Sequence, residues 1–304
     1  MDRISNPEKF VPLERLQPRR SPEKKNYTEG LSKMMGRISE RINKEVKEQY
    51  GLSDFLDKDG ALDMDGYADG PYSAERVEKD KADVSAMEID FSDANDARVR
   101  AFYGAKTPAE AVEKWKEEKK KNKNGQMEMA VTGLLYKILK DDFLVVRATA
   151  HDDYKGGVDN IILNKRTGEA ICAFDEVHEG GKGERTDGKI AKIQKVAARG
   201  GANVSYGIKL EDGKLQRAEM KNVPVFYLAL KSDELVGLLN GMDYNPDSPV
   251  TPKEHEIFSQ LTASLRDQLV ILTRQPAGKD LSPAIRNKLA TFEGLLGEFE
   301  GRGV

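Results

Sequence analysis

Apolar residues recur at three- and four-residue spacing through Leu31, Met34, Met35, Ile38, Ile42 and Val46, which predicts a helix over 28–50 that buries one face. Thr107-Pro108-Ala109-Glu110 is a capping box with proline at the first helical position, so a second helix starts there and runs through Trp115 into the lysines of 119–123, which read as a solvated helix end rather than a phosphate contact. The stretch 126–140 (QMEMAVTGLLYKILK) predicts an apolar helix, 143–150 a strand, and His151 to Lys155 a polar loop. Two apolar runs follow, Val158 with Ile161 to Leu163, and Ala170 to Phe174. They read as a hairpin turning between Asn164 and Gly168, where glycine is free to take positive φ. A helix over 187–199 places Ile190, Ile193, Val196 and Ala197 inward, with Asp187 as its cap and Gly200 as its stop. A hairpin over 202–210 and 214–221 and a strand over 223–230 come next. The C-terminal third is helical. A short helix spans 233–239, and a capping box at Thr251-Pro252-Lys253-Glu254 and Ser282-Pro283 open two longer ones that read as an antiparallel pair.

Elsewhere the pattern fails. Residues 1–27 carry Pro7, Pro12, Pro18 and Pro22 among Lys and Arg, a basic arm expected to be disordered. Residues 54–70 are acidic and glycine-rich. Placing Gly60 or Gly66 at the sixth position of a calcium loop leaves non-ligating residues at its ends, so an acidic linker is expected. The linker continues over 71–104 with one short helix. The expected organisation is a charged, partly disordered N-terminal region over 1–105, whose helix at 28–50 offers a face to the body or to a protein partner, and an α/β domain over 106–304.

Of the 304 residues 33% are charged, yet the net charge is −3, so attraction to nucleic acid must come from a local basic patch. Cys172 is the single cysteine and sits inside an apolar run, which excludes a disulfide framework or a cysteine-rich zinc site. No apolar run approaches the roughly 18 residues of a membrane span, and the first residues form no apolar leader. A soluble protein of the cytoplasm, without a membrane partner, is expected.

The chemistry lies in the acids of the central hairpin. Asp159 opens its first strand and Asp175 and Glu176 end its second. Carboxylates gathered at the end of an apolar hairpin cost desolvation energy, which a hard divalent cation with oxygen ligands offsets. The order helix with Glu128, strand, strand opened by Gly156-Gly157-Val158-Asp159, strand ended by Phe174-Asp175-Glu176-Val177-His178, helix, strand resembles the PD-(D/E)xK nuclease superfamily over residues 126–230. That resemblance implies a restriction-endonuclease-like fold, a mixed central β-sheet flanked by helices, here with helical N- and C-terminal extensions. It also implies a metal-dependent nuclease hydrolysing phosphodiester bonds in DNA or RNA. Catalytic Asp159, Glu176, His178 and Glu128 follow, with Asp159, Asp175 and Glu176 holding Mg²⁺ or Mn²⁺.

The sequence departs from the family pattern at the motif lysine. The acid-x-Lys triplet falls on Glu176-Val177-His178 or, shifted by one, on Asp175-Glu176-Val177, which leaves no cation; the first register is preferred, because strand alternation puts Glu176 and His178 on one face. Histidine serves as acid, base or ligand, and Lys189 or Lys192 would reach in from the following helix. Lys189, Lys192, Lys195 and Arg199 form the basic flank expected to hold the nucleic-acid backbone. A non-catalytic binding module on the same fold is the competing expectation, because no lysine stands at the motif position.

Overall fold

The computed structural model describes residues 27–68, 70–179, 184–211, 213–274 and 281–302, with the side chains of 177–179, 184–187, 300 and 302 excepted. The basic arm lies, up to residue 26, outside them. At the centre is a four-stranded sheet of order β1-β2-β3-β6, formed by β1 (Phe143–Arg147), β2 (Asn160–Asn164), β3 (Ala170–Glu179) and β6 (Val225–Lys231). The first three strands run antiparallel and β6 lies parallel to β3, so the sheet is mixed. The expected hairpin is present, with Asn160 opposite Phe174 and Ile162 opposite Cys172. Gly168 closes its turn at φ 70°, and a Cβ there would collide with the backbone of Leu210.

The strands are apolar runs rather than alternating ones because helices cover the sheet. Helix α5 (Lys123–Leu139) packs on β1 and β3, α7 (Glu184–Ala198) and α9 (Pro252–Arg274) on β6, and α10 (Pro283–Arg302) on β3 and α9. Gln268 of α9 pairs with both backbone groups of Tyr227, donating to the carbonyl at 2.7 Å and accepting from the N–H at 2.9 Å. Those groups belong to edge strand β6, which is thereby shielded from a further strand. The link from β3 to β6 holds α7 and a separate two-stranded hairpin, β4 (Ala202–Glu211) with β5 (Lys214–Val223). Helix α8 (Ser232–Gly241) follows β6. Among the described residues no helix is long and apolar enough to cross a membrane.

The apolar core does not begin at residue 106. Helix α1 (Tyr27–Tyr50) lays Leu31, Met34, Met35, Ile38, Ile42 and Val46 into the same cluster as the sheet, against α5, and Phe55, Leu56 and Leu62 of the acidic stretch join them. Ala61 bridges Arg147 beside β1, and Asp57 accepts the N–H groups of Asp59 and Ala61. The acids of this stretch therefore shape a packed turn.

The expected linker over 71–104 carries two helices, α2 (Ala74–Phe91) and α3 (Ala97–Tyr103). No apolar period announced α2 because only Val77 and Glu88 of it are buried. Polar contacts hold it instead: Asp80 accepts from Tyr206 at 2.8 Å, Asp83 from Lys155 at 3.0 Å, and Glu88 from Lys116 at 2.8 Å. The polar loop expected after β1 is likewise a helix, α6 (Ala150–Gly156), capped by Thr149 and ended by Gly157 in the left-handed region.

Candidate functional site

The C-terminal end of β1, the start of β2 and β3 meet beside α5, and Lys119 of α4 (Pro108–Lys121) and Asp153 of α6 lie within electrostatic reach of the acids there. The backbone fixes Asp159 there. Its N–H donates to Phe174 O at 2.8 Å and its carbonyl accepts from Ala148 N–H at 2.8 Å, so it is clasped between β1 and β3 just ahead of β2. Its Oδ2 accepts the N–H of Glu176 at 2.6 Å, and Asp153 of α6 acts electrostatically on its carboxyl.

Glu176 is 8% exposed. Its Oε1 accepts from Asn160 Nδ2 at 2.6 Å, and Asn160 is held in turn by Thr132 of α5 at 3.0 Å. Glu176 Oε2 is buried with no hydrogen-bond partner. Glu128, one helical turn before Thr132, binds Arg147 Nη2 through Oε2 at 3.0 Å. Arg147 closes β1, and its Nε is also buried without a partner.

These acids perturb one another. Burial, then the charges of Asp153, Glu128, Glu176 and Asp175, push the Asp159 carboxyl well above the usual carboxylate range. Burial, then Glu128, does the same to Glu176, against the opposing pull of Arg147 and the Asn160 hydrogen bond. Asp153 is raised by burial first, with Lys119 opposing. For Arg147 burial alone would favour loss of the proton, and Glu128, Glu176, Asp159 and Asp153 more than reverse it.

The expected residues separate into groups. Glu128, Asp159 and Glu176 lie within electrostatic reach of one another. Asp175 is turned to α7, where Lys189 Nζ meets both its oxygens at 2.7 Å and Lys192 Nζ meets Oδ2 at 3.0 Å. Its oxygens are thus engaged by ammonium groups rather than left open for a metal, and Lys189 and Lys192 hold Asp175 rather than standing free for a phosphate. Lys195 and Arg199 are exposed. The side chain of His178 lies outside the described residues.

The sequence reading missed Asp153, Arg147 and Lys119. Asp153 belonged to a short helix read as loop, and Lys119 to a lysine run read as a solvated helix end. The one legible signal was Arg147, a charge terminating the apolar run Phe143-Leu144-Val145-Val146.

The donor set is carboxylate oxygen throughout, the preference of a hard divalent cation, and the orphaned Glu176 oxygen is the atom that such an ion would satisfy. Among the described residues no group of three His, Cys, Asp or Glu side chains is disposed as a finished ligand set. Asp159 is engaged by the Glu176 N–H and Glu128 by Arg147. No protein-family model, curated protein or solved structure matches the chain.

Proposed function

We propose that the protein is a metal-dependent phosphodiesterase that cuts nucleic acid, on a restriction-endonuclease-like core related to the PD-(D/E)xK nucleases. The observation that carries this reading is Glu176 Oε2, a buried carboxylate oxygen without a partner, set among Asp159, Glu128 and Asp153 where the strands of a mixed sheet end. Ionising such a carboxyl among other buried acids is costly, and a cation that arrives with the substrate would offset that cost. The antiparallel, antiparallel, parallel order of the strands, with Glu128 on the helix before them, supports the same reading.

Asp159 and Glu176 would hold Mg²⁺ or Mn²⁺, with Glu128 or Asp153 completing the protein's share. When bound, the ion supplies an acidified water and neutralises charge on the phosphate. The chain fixes Asp159 by backbone bonds on both sides and orients Glu176 through Asn160, so that both acids enter the reaction pre-positioned. One water is consumed per bond: its oxygen bonds to phosphorus, the bridging P–O bond to the leaving sugar breaks, and a proton ends on the departing oxygen. Lys195 and Arg199 are the members of the basic flank left to hold the phosphate backbone. The lone buried thiol of Cys172 suits the reducing cytoplasm, where we place the protein.

Two observations favour a second reading, a non-catalytic binding module on this fold. Arg147 already supplies a cation to Glu128, and no lysine stands two residues beyond Glu176. Incubating the full chain with single- and double-stranded DNA and RNA, with Mg²⁺, Mn²⁺ or chelator, separates the two. Metal-dependent cleavage of any of them supports the nuclease, whereas binding without cleavage across the panel supports the module.

A further inference from the structure

We propose that Lys119, delivered by helix α4 from outside the α/β core, is the cation that meets the substrate phosphate at the carboxylate cluster. The inference rests on the nucleolytic reading and adds to it a residue that no motif assigns.

Helix α4 is fastened on several sides. Thr107 caps it, Ala111 and Val112 are buried beneath it, and Lys114 donates to Tyr103 O at 2.6 Å. Lys116 pairs with the buried Glu88 at 2.8 Å, and Lys120 with Asp59 at 3.0 Å. Each of these ammonium groups is committed to an anchor. Lys119 is not: it is half-buried, its Nζ stands 5.7 Å over the ring of Tyr154, and among the described residues it makes no direct ion pair. The charges acting on it are those of the candidate site: Glu128, Asp153 and Asp159 favour its ammonium form, and Arg147 opposes them.

The joint between α4 and α5 sets this placement. Asn122 ends α4 and caps α5 through a 2.9 Å bond to Gly125 N–H. A Cβ on Gly125 would lie 2.3 Å from Lys119 O and 2.9 Å from Lys120 Cα. Only glycine allows the turn of α4 that carries Lys119 to lie this close to the turn of α5 that leads to Glu128. The support beneath the ammonium is also fixed, because Tyr154 OH donates to Glu88 at 3.2 Å, and Glu88 in turn holds Lys116.

An ammonium held beside carboxylates without a direct partner has donors available to an incoming anion. Its charge offsets the repulsion those acids exert on a phosphodiester. Arg147 is less suited, being committed to Glu128. Lys119 is thus placed to stabilise charge developing on a non-bridging phosphate oxygen, a role worth on the order of 10²–10³ in kcat where one such donor is removed.

The test uses the full chain, first as wild type on the nucleic-acid panel with Mn²⁺, then as Lys119→Met, Lys119→Arg and Lys119→Cys. Lys119→Met is expected to lower kcat by on the order of 10²–10³, with a smaller change in KM, and Lys119→Arg to retain a substantial part of the rate. Lys119→Cys is expected to be as slow as Lys119→Met, then to recover when bromoethylamine converts the new thiol to an aminoethyl thioether. The chain's single native cysteine, Cys172, is buried and shielded from the reagent. Recovery of rate by restoring one amine is not a property of a merely structural lysine. Wild-type rates in Lys119→Met, or a folded Lys119→Cys that stays slow after alkylation, overturn the role of Lys119 and leave the nucleolytic reading standing. A wild-type chain that cuts nothing overturns both.

Discussion

Asp159 and Glu176 carry the account at the residue scale, and each has a separable consequence. Asp159→Asn preserves an oxygen for the Glu176 N–H, so the fold is expected to survive, but the charge that would hold a cation is gone. Cleavage is expected to fall to background while nucleic-acid binding stays within about threefold of wild type, or tightens as repulsion of phosphate is lost. Parallel cleavage and gel-shift assays decide it, and loss of both together speaks against the division. Glu176 is the pH probe. Its folded carboxyl holds its proton to higher pH than the unfolded one, through burial first and Glu128 next. A group raised in this way stabilises the fold fully below its unfolded pKa, about 4.3, and loses that contribution as pH rises towards the folded value. The melting temperature of metal-free Glu176→Gln is therefore expected to gain on wild type as pH is raised from about 5 to 8. A difference independent of pH contradicts the repulsion described.

Elements are tied together by polar contacts as much as by apolar ones. Lys137 of α5 and Glu254 of α9 form a pair at 2.7 and 2.9 Å with side chains 1% and 0% exposed. Glu254 also accepts the Thr251 N–H that opens α9. Removing one partner strands a buried charge, so Glu254→Gln is expected to cost about 3–5 kcal/mol in urea unfolding. The double change Lys137→Met with Glu254→Met is expected to cost less than the single one, and equal costs would mean that no charge is stranded. The capping box at Thr251 was legible in the sequence, whereas the partner of its glutamate was not. A distant lysine on an apolar helix leaves no local pattern. Helix α2 was missed for a related reason: local rules detect a buried apolar face, and α2 is held by Tyr206, Lys155 and Lys116. In contrast, α1, α5, α9, α10 and the central hairpin announce themselves through periodic or continuous apolar runs, and the structure has each of them. The candidate site was half legible. Asp159 stands out as an acid opening one apolar strand and Glu176 as an acid after the apolar run of the next, but Asp153 and Lys119 reach them only through the tertiary approach of α6 and α4.

On the scale of the whole molecule, the N-terminal segment belongs to the body. Leu31, Met34, Ile38 and Ile42 are 0–1% exposed within the cluster that contains the sheet. A chain starting at Thr107 bares the α5 surface they cover and also loses α2, which supports Tyr154 and Tyr206. Such a truncation is expected to show no cooperative thermal transition in calorimetry. A sharp melt would instead place the boundary near residue 106, where the sequence pattern alone puts it. The dependence reaches function too, because α4, the supplier of Lys119, packs against α2 and α3 of that segment. The central claim remains the seat of a divalent cation among Glu128, Asp153, Asp159 and Glu176. Anomalous scattering from crystals soaked in Mn²⁺ tests it most directly. The account predicts a manganese peak bonded to Asp159 and to the now unpartnered oxygen of Glu176; a peak elsewhere, or none at millimolar Mn²⁺, would contradict it.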